Sequence, residues 1–305
     1  MSHATLRIGI RANRLGQCLG DRIAEQLRHY LGTTQVHFHT IEASAERPID
    51  PRDAWPGSAL ERAVASGEVD LAVQNAKDLA PEPEPGVVIA AVAERLTPFD
   101  VLIASDETIM DELPEGAVLS AHSTLRRAQL LRYRDDFKLV DFSGSLDDRI
   151  RLLDSGEVDG LIVSASAVEH LGFQDRVTEI FTTEVLLPGP GQGACVIQVR
   201  QGAKELLKLA KHLEHPTARM EVESERAFAR ELKADPSMAV GALAAIDGQN
   251  IRLEGMVADR DGTKLFRDVE EGEAGDEVGI GSRLAQRLLS EGARRILSSI
   301  GTAAR

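Results

Sequence analysis

Residues Leu60–Pro81 read LERAVASGEVDLAVQNAKDLAP, and this stretch decides the fold. Ala59–Ser66 keeps helical spacing, and Val69–Val73 is a continuous apolar strand that runs straight into Gln74–Asp78. A helix feeding a buried strand is part of a βαβ rhythm, which implies a parallel sheet with its functional loops at the carboxyl ends of the strands. Lys77 and Asp78 stand at such an end.

Upstream, Leu6–Ile10 is a short apolar strand, Arg11–Arg14 a polar turn, and the segment from about Gly16 to Leu31 a helix with Cys18, Leu19, Ile23 and Leu27 on one face. Gln35–Ile41 alternates as a strand. Arg11 thus follows one strand and Asp78 another, so two candidate site residues converge from separate segments. Pro81–Pro85, PEPEP, is a stiff surface connector.

The rhythm restarts after Thr97–Asp100, with strands at Val101–Ala104, Ala117–Ser120, Lys138–Phe142 and Gly160–Ser164, and helices at Ser123–Leu131, Leu146–Leu153 and Ala167–Leu171. Leu187–Gln192, LPGPGQ, is a Pro/Gly-dense crossing that marks a hinge or boundary, and the strand after it, Ala194–Val199, is placed to return to the first sheet. The remainder reads as α+β: helices Lys204–Leu213 and Ala218–Leu232, strands Ala242–Ile246 and Ile251–Val257 about a turn at Asp247–Gly248, and one last helix, Val278–Ile300.

The chain has 305 residues, room for about two domains of roughly 150 residues or three smaller lobes. Hydrophobic residues make up 43% and charged residues 28%, the balance of a soluble globular protein. A net charge of −14 repels nucleic acid and anionic membrane surfaces, so neither is an expected partner. Cys18 and Cys195 lie far apart without CxxC spacing, which points to a reducing compartment rather than a disulfide scaffold or a cysteine zinc site. Met1–Arg11 has no apolar core of a signal peptide, and the most apolar run, Gly86–Ala93, falls far short of the roughly 20 residues of a membrane helix. A cytoplasmic protein is expected.

There is no phosphate-binding GxxxxGK[ST] motif and no GxSxG elbow. His37 with His39, and His212 with His215, each offer two metal ligands without a third, so they read as surface histidines and no metal site is expected. The arginines are more informative. Arg126 and Arg127 sit in the first turn of a helix, where cations oppose the macrodipole unless an anion offsets them, and Arg149 lies on a later helix of the same lobe. Guanidinium forks at such places bind carboxylates bidentately. The competing account is that they form internal ion pairs in a chain with 49 acidic residues. Asp78 is suited to stabilising a developing cation, or equally to capping a helix or pairing with Lys77. Cys18 and Cys195 read as inert small hydrophobes.

Seven colinear pieces resemble the porphobilinogen deaminase (hydroxymethylbilane synthase) family: LRIGIR (Leu6–Arg11), LERAVASGEVDLAVQNAKDLAP (Leu60–Pro81), ERLTPFDVLI (Glu94–Ile103), STLRRAQLL (Ser123–Leu131), RIRLLDSGEVDGLIVSASAVEHLG (Arg149–Gly172), LPGPGQGA (Leu187–Ala194) and ERAFARELKA (Glu225–Ala234). The resemblance implies two periplasmic-binding-protein-like α/β domains joined by crossing strands, plus a smaller C-terminal α+β domain. On this chain the expected boundaries are 1–94 with 190–212, 95–189, and 213–305. It implies the head-to-tail condensation of porphobilinogen with loss of ammonia, in tetrapyrrole biosynthesis. Asp78 would contact pyrrole nitrogens and stabilise the cationic intermediate, while Arg11, Lys77, Arg126, Arg127 and Arg149 would bind the carboxylate arms. A monomer is implied, with a small pyrrole or tetrapyrrole as its partner.

The resemblance also implies a dipyrromethane cofactor joined by a thioether to a third-domain cysteine, and ungapped alignment puts Pro236 at that position. Other family positions differ: a His-Ser pair is Gln74–Asn75, arginines are Ser143 and His170, and a serine near Arg11 is Asn13. A glycine- and lysine-rich loop is replaced by PIDPRDAWPGS (Pro48–Ser58). The alternative these departures open is a catalytically altered or inactive homologue that binds a pyrrole or other carboxylate in the interdomain cleft.

Overall fold

The computed structural model describes residues 5–42, 55–105, 107–142 and 144–303. They form two compact units, Met1–Leu96 with Ala194–Val222, and Thr97–Gly193 with Glu223–Arg305. Ser143 and residues 48–54 of the Pro48–Ser58 segment lie outside the described residues.

In the first unit the chain runs β1 (Thr5–Arg11), α1 (Arg14–Leu31), β2 (Gln35–Ile41), α2 (Ser58–Ser66), β3 (Leu71–Asn75) and β4 (Val87–Val92). The second unit begins with β5 (Asp100–Ala104), β6 (Val118–Ala121), α3 (Thr124–Tyr133), β7 (Lys138–Val140), α4 (Leu146–Asp154), β8 (Gly160–Ser164), α5 (Ala165–Leu171) and β9 (Glu179–Ile180). After the crossing come β10 (Cys195–Arg200), α6 (Lys204–Ala210) and α7 (Pro216–Glu231), then β11 (Ala239–Asp247), β12 (Asn250–Ala258), β13 (Leu265–Glu273), α8 (Glu277–Leu288) and α9 (Arg294–Ala303).

The two five-stranded sheets share one topology. Their orders are β2-β1-β3-β10-β4 and β7-β6-β8-β5-β9. In each, three strands run parallel and the fourth, β10 or β5, runs antiparallel to both of its neighbours. The all-parallel expectation is therefore corrected to a mixed sheet, because the reversing strand is the one that enters a sheet from the crossing rather than through a βαβ connection. The return of the strand after LPGPGQ to the first sheet is borne out, with Cys195 opposite Asn75 and Val199 opposite Leu71.

Helices cover both faces of each sheet. In the first unit, Leu19, Ile23 and Leu27 of α1 pack with Ile8, Ile10, Val73 and Ile197, while Leu60 and Val64 of α2 cover Ala72 on the other face. In the second, Leu130 of α3 joins Leu102, Leu119 and Ile162, and Ile150 and Leu153 of α4 join Val101, Leu161 and Val163. Burying both faces explains why these strands read as unbroken apolar runs.

The C-terminal part is an antiparallel sheet, β11-β12-β13, with Ile280, Leu284 and Leu288 of α8 buried. The single last helix expected from the sequence is broken: Gly292 takes φ 137, and Phe266 occupies the space where a Cβ would stand, 2.7 Å from its ring. Only glycine adopts that backbone without strain. Among the described residues no helix is long and apolar enough to cross a membrane.

Candidate functional site

The first cluster sits where β1 and β3 end. After Arg11 the chain turns, with the amide of Asn13 donating to the carbonyl of Arg11 at 2.8 Å, and the side chain of Asn13 then caps α1 by accepting from the amide of Gly16 at 2.7 Å. A Cβ on residue 16 would lie 2.4 Å from the carbonyl oxygen of Arg11, so glycine is what lets the helix start this close to the strand end. From β3, a single 3₁₀ turn, Ala76–Asp78, carries Lys77 and Asp78, and the amide of Ala76 is held by the carbonyl of Ala194 at 2.9 Å.

The two strand ends meet: Nη1 of Arg11 donates to Oδ2 of Asp78 at 3.0 Å. The Arg11 side chain is 29% exposed and that of Asp78 14%, so the pair is shielded but reachable. Behind Asp78, its carbonyl accepts from the amide of Gly57 at 2.8 Å. Beneath it runs a buried polar chain absent from the sequence reading. Nε2 of Gln74 donates to Oε1 of Gln198 at 2.6 Å, and Nε2 of Gln198 donates to Oε1 of Glu61 at 2.7 Å. The sequence signal for it is a lone glutamine inside the otherwise apolar run Cys195–Val199 of β10.

The second cluster gathers around the start of α3. Ser123 caps the helix, its Oγ accepting from the amide of Arg126 at 3.1 Å. Arg126 is buried, and its Nε and Nη2 donate to the two carboxylate oxygens of Asp100 at 3.0 and 2.7 Å. Nε2 of Gln192, from the crossing, also donates to Asp100, at 2.8 Å. The anion that offsets this first-turn cation is thus a protein carboxylate, which the sequence had placed only as the residue before a strand. Nη1 of Arg127 donates to the carbonyl of Leu139 at 3.0 Å.

Arg149, half-buried on α4, is different. Among the described residues its buried Nε has no hydrogen-bond partner. Burial lowers its pKa, the charge of Arg126 lowers it further, and Asp141 opposes the shift. A guanidinium with an orphaned N–H that senses a second guanidinium is suited to receive an anion.

The loop after α7 belongs to the same unit. Asp235, Pro236, Ser237 and Met238 form a β-turn in which the amide of Met238 donates to the carbonyl of Asp235 at 3.0 Å. Oδ1 of Asp235 accepts from the amide and hydroxyl of Ser237 at 2.7 and 2.5 Å. Thr124 Oγ1, in the first turn of α3, lies 3.5 Å from the carbonyl oxygen of Pro236, so this loop sits beside the arginine-bearing helix start.

Cys195 is buried in β10, and burial pushes its thiol up to about 12; Cys18 is half-buried on α1. The His212 ring stacks on Tyr30 with centroids 3.7 Å apart, and Nδ1 of His215 accepts from the amide of Ala218 at the start of α7.

Two family models match the chain. One, described as porphobilinogen deaminase, dipyromethane cofactor binding domain, matches residues 6–208, and the other, porphobilinogen deaminase, C-terminal domain, matches 219–290. The porphobilinogen deaminase of Pelotomaculum thermopropionicum is 35% identical over 298 residues, which is 96% of each chain. That of a Nostoc species is 35% identical over 305 residues, covering 97% of this chain and 94% of its own. That of a Roseiflexus species is 36% identical over 300 residues, covering 96% and 99%. Among solved structures, the methionine binding protein MetQ aligns with 69% of this chain and 90% of its own, at 12% identity and a TM-score of 0.46. With family models over most of its length and relatives above 30% identity across nearly all of it, this chain belongs to the porphobilinogen deaminase family.

Proposed function

We propose that this chain is a hydroxymethylbilane synthase-like enzyme of tetrapyrrole biosynthesis, joining porphobilinogen units head to tail with loss of ammonia, and that Asp78 is its catalytic residue. The observation that carries this assignment is the Arg11–Asp78 pair at the ends of β1 and β3. When the C–N bond of the aminomethyl group breaks, its electron pair leaves with ammonia and a positive charge spreads over the pyrrole. A fixed carboxylate beside the ring N–H stabilises that charge as it develops, because it needs no reorganisation at the moment of reaction. The free α-carbon of a second pyrrole then forms the new C–C bond and releases its proton. Arg11 fixes one oxygen of Asp78 and leaves the other to the substrate.

Acetate and propionate arms call for cations. Arg11, Lys77, Arg126, Arg127 and Arg149 supply them in this reading. The unpartnered Nε of Arg149 favours a direct carboxylate contact, while Arg126, already paired with Asp100, contributes chiefly by holding its helix start in place. The working form in this reading is a cytosolic monomer, as the family resemblance implies.

Porphobilinogen consumption tests the assignment. Asp78→Ala is expected to lower turnover by about a hundredfold or more relative to the unmodified chain. Equal turnover in the two proteins would remove Asp78 from the mechanism.

A further inference from the structure

The turn beside the start of α3 gives the dipyrromethane of the matched family domain no cysteine sulfur to which it could be covalently attached. A thioether needs a thiolate, and thiolates come only from cysteine. The chain has two, Cys18 and Cys195, and both lie in the first unit. Cys195 is sealed in the core of the β10 sheet with its thiol pushed up to about 12. The loop beside the start of α3 offers none: it is a closed turn with Asp235 at its first position and Pro236 at the second, where proline's fixed φ suits the turn. The neighbouring hydroxyl, Ser237, is held by the carboxylate that closes the same turn. This loop is built as a rigid, self-satisfied turn rather than as a nucleophile's perch.

Resting on the functional reading above, we infer that this chain holds its pyrrole ligand without a covalent bond, by charged contacts alone. The features that favour ionic retention are present in the same unit as that turn: Arg127 at the helix start next to Pro236, and Arg149, whose buried Nε has no hydrogen-bond partner among the described residues. Retention by contacts alone makes every addition compete with release. The chain is then distributive, and pyrrole chains shorter than the full product leave it.

The test is the mass of the full-length chain after incubation with porphobilinogen, recorded under native and then denaturing conditions, with porphobilinogen loss followed in parallel. The result expected is a pyrrole-sized increment in the native spectrum that disappears on denaturation. An increment that survives denaturation overturns the inference, and peptide mapping then names the anchor, whether Cys18, Cys195 or Ser237. A bare chain in the native spectrum with porphobilinogen still consumed also overturns it, since turnover would proceed without retention. A bare chain with porphobilinogen untouched removes the inference together with the functional reading.

Discussion

Nη1 of Arg11 lies 3.0 Å from Oδ2 of Asp78, a contact between the ends of two parallel strands that both pack into one sheet. Neither side chain is placed by a flexible loop. Arg11 closes a strand and is followed at once by a capped helix, while Asp78 rides a single tight turn held at both ends by backbone hydrogen bonds. Rigid mounting of this kind is what electrostatic stabilisation requires.

Arg11→Met removes the partner and leaves a largely buried carboxylate. Stability is expected to fall by about 1–3 kcal/mol, and kcat for porphobilinogen by about tenfold or more, with a smaller change in KM. Steady-state kinetics beside thermal melting check this. A melting temperature that falls while kcat stays put would make Arg11 a structural residue only.

The Arg126–Asp100 pair tests a different account of an arginine. Its side chains are 9% and 3% exposed and bonded through two contacts, so Arg126→Met strands Asp100 in the interior at a cost of about 3–5 kcal/mol. The double variant Arg126→Met with Asp100→Leu is expected to regain much of that loss, because a buried ion pair contributes little net stability over an apolar replacement. Chemical denaturation of the unmodified chain and the two variants decides it, and a double variant no better than the single one contradicts the argument.

Asp136 offers a pH test on the second unit. The guanidinium of Arg134 bonds its carboxylate at 2.8 Å, and the amide of Gly116 adds a further donor at 2.9 Å. Together they hold its pKa down, from the usual 3.8 to about 2. With the folded value below the unfolded one, the unfolded chain takes up the proton first. The stabilisation is complete above about 3.8 and is lost as pH falls through about 2. Asp136→Asn is therefore expected to flatten the acid limb of the stability profile in that window, as urea unfolding at stepped pH will show. An unchanged limb would mean that the contact is inert.

The convergence of Arg11 and Asp78 was legible because each directly follows a buried strand, and in an α/β sheet strand ends meet. The partners that hold the second cluster were not. Asp100 and Gln192 lie 92 positions apart in a strand start and a Pro/Gly crossing, and no local pattern joins them. The strand β13 was invisible for another reason: its residues, LFRDVEEGE, form the edge of the small sheet and none is fully buried, so the alternation that marks a half-buried strand never develops. The reversal of β10 and β5 was equally hidden, since a strand buried on both faces shows the same apolar run in either direction.

The crossing itself is held by a residue whose identity is chemically specific. Glu225, fully buried on α7, accepts from the amide of Gly191 through Oε2 at 2.6 Å and from the amide of Ala244 on β11 through Oε1 at 2.8 Å. One carboxylate thus ties the LPGPGQG segment to the small sheet, and both of its oxygens are needed as acceptors. Glu225→Gln keeps the volume but turns one acceptor into an NH₂ donor, so one of the two amides faces a donor and is left unsatisfied. The cost expected is about 1–3 kcal/mol, a fall of several degrees in melting temperature. Hydrogen exchange at Gly191 and Ala244 locates the damage: protection is expected to drop at one of the two amides and to persist at the other. Full protection at both, with an unchanged melting temperature, would show that the carboxylate is not what fastens the crossing.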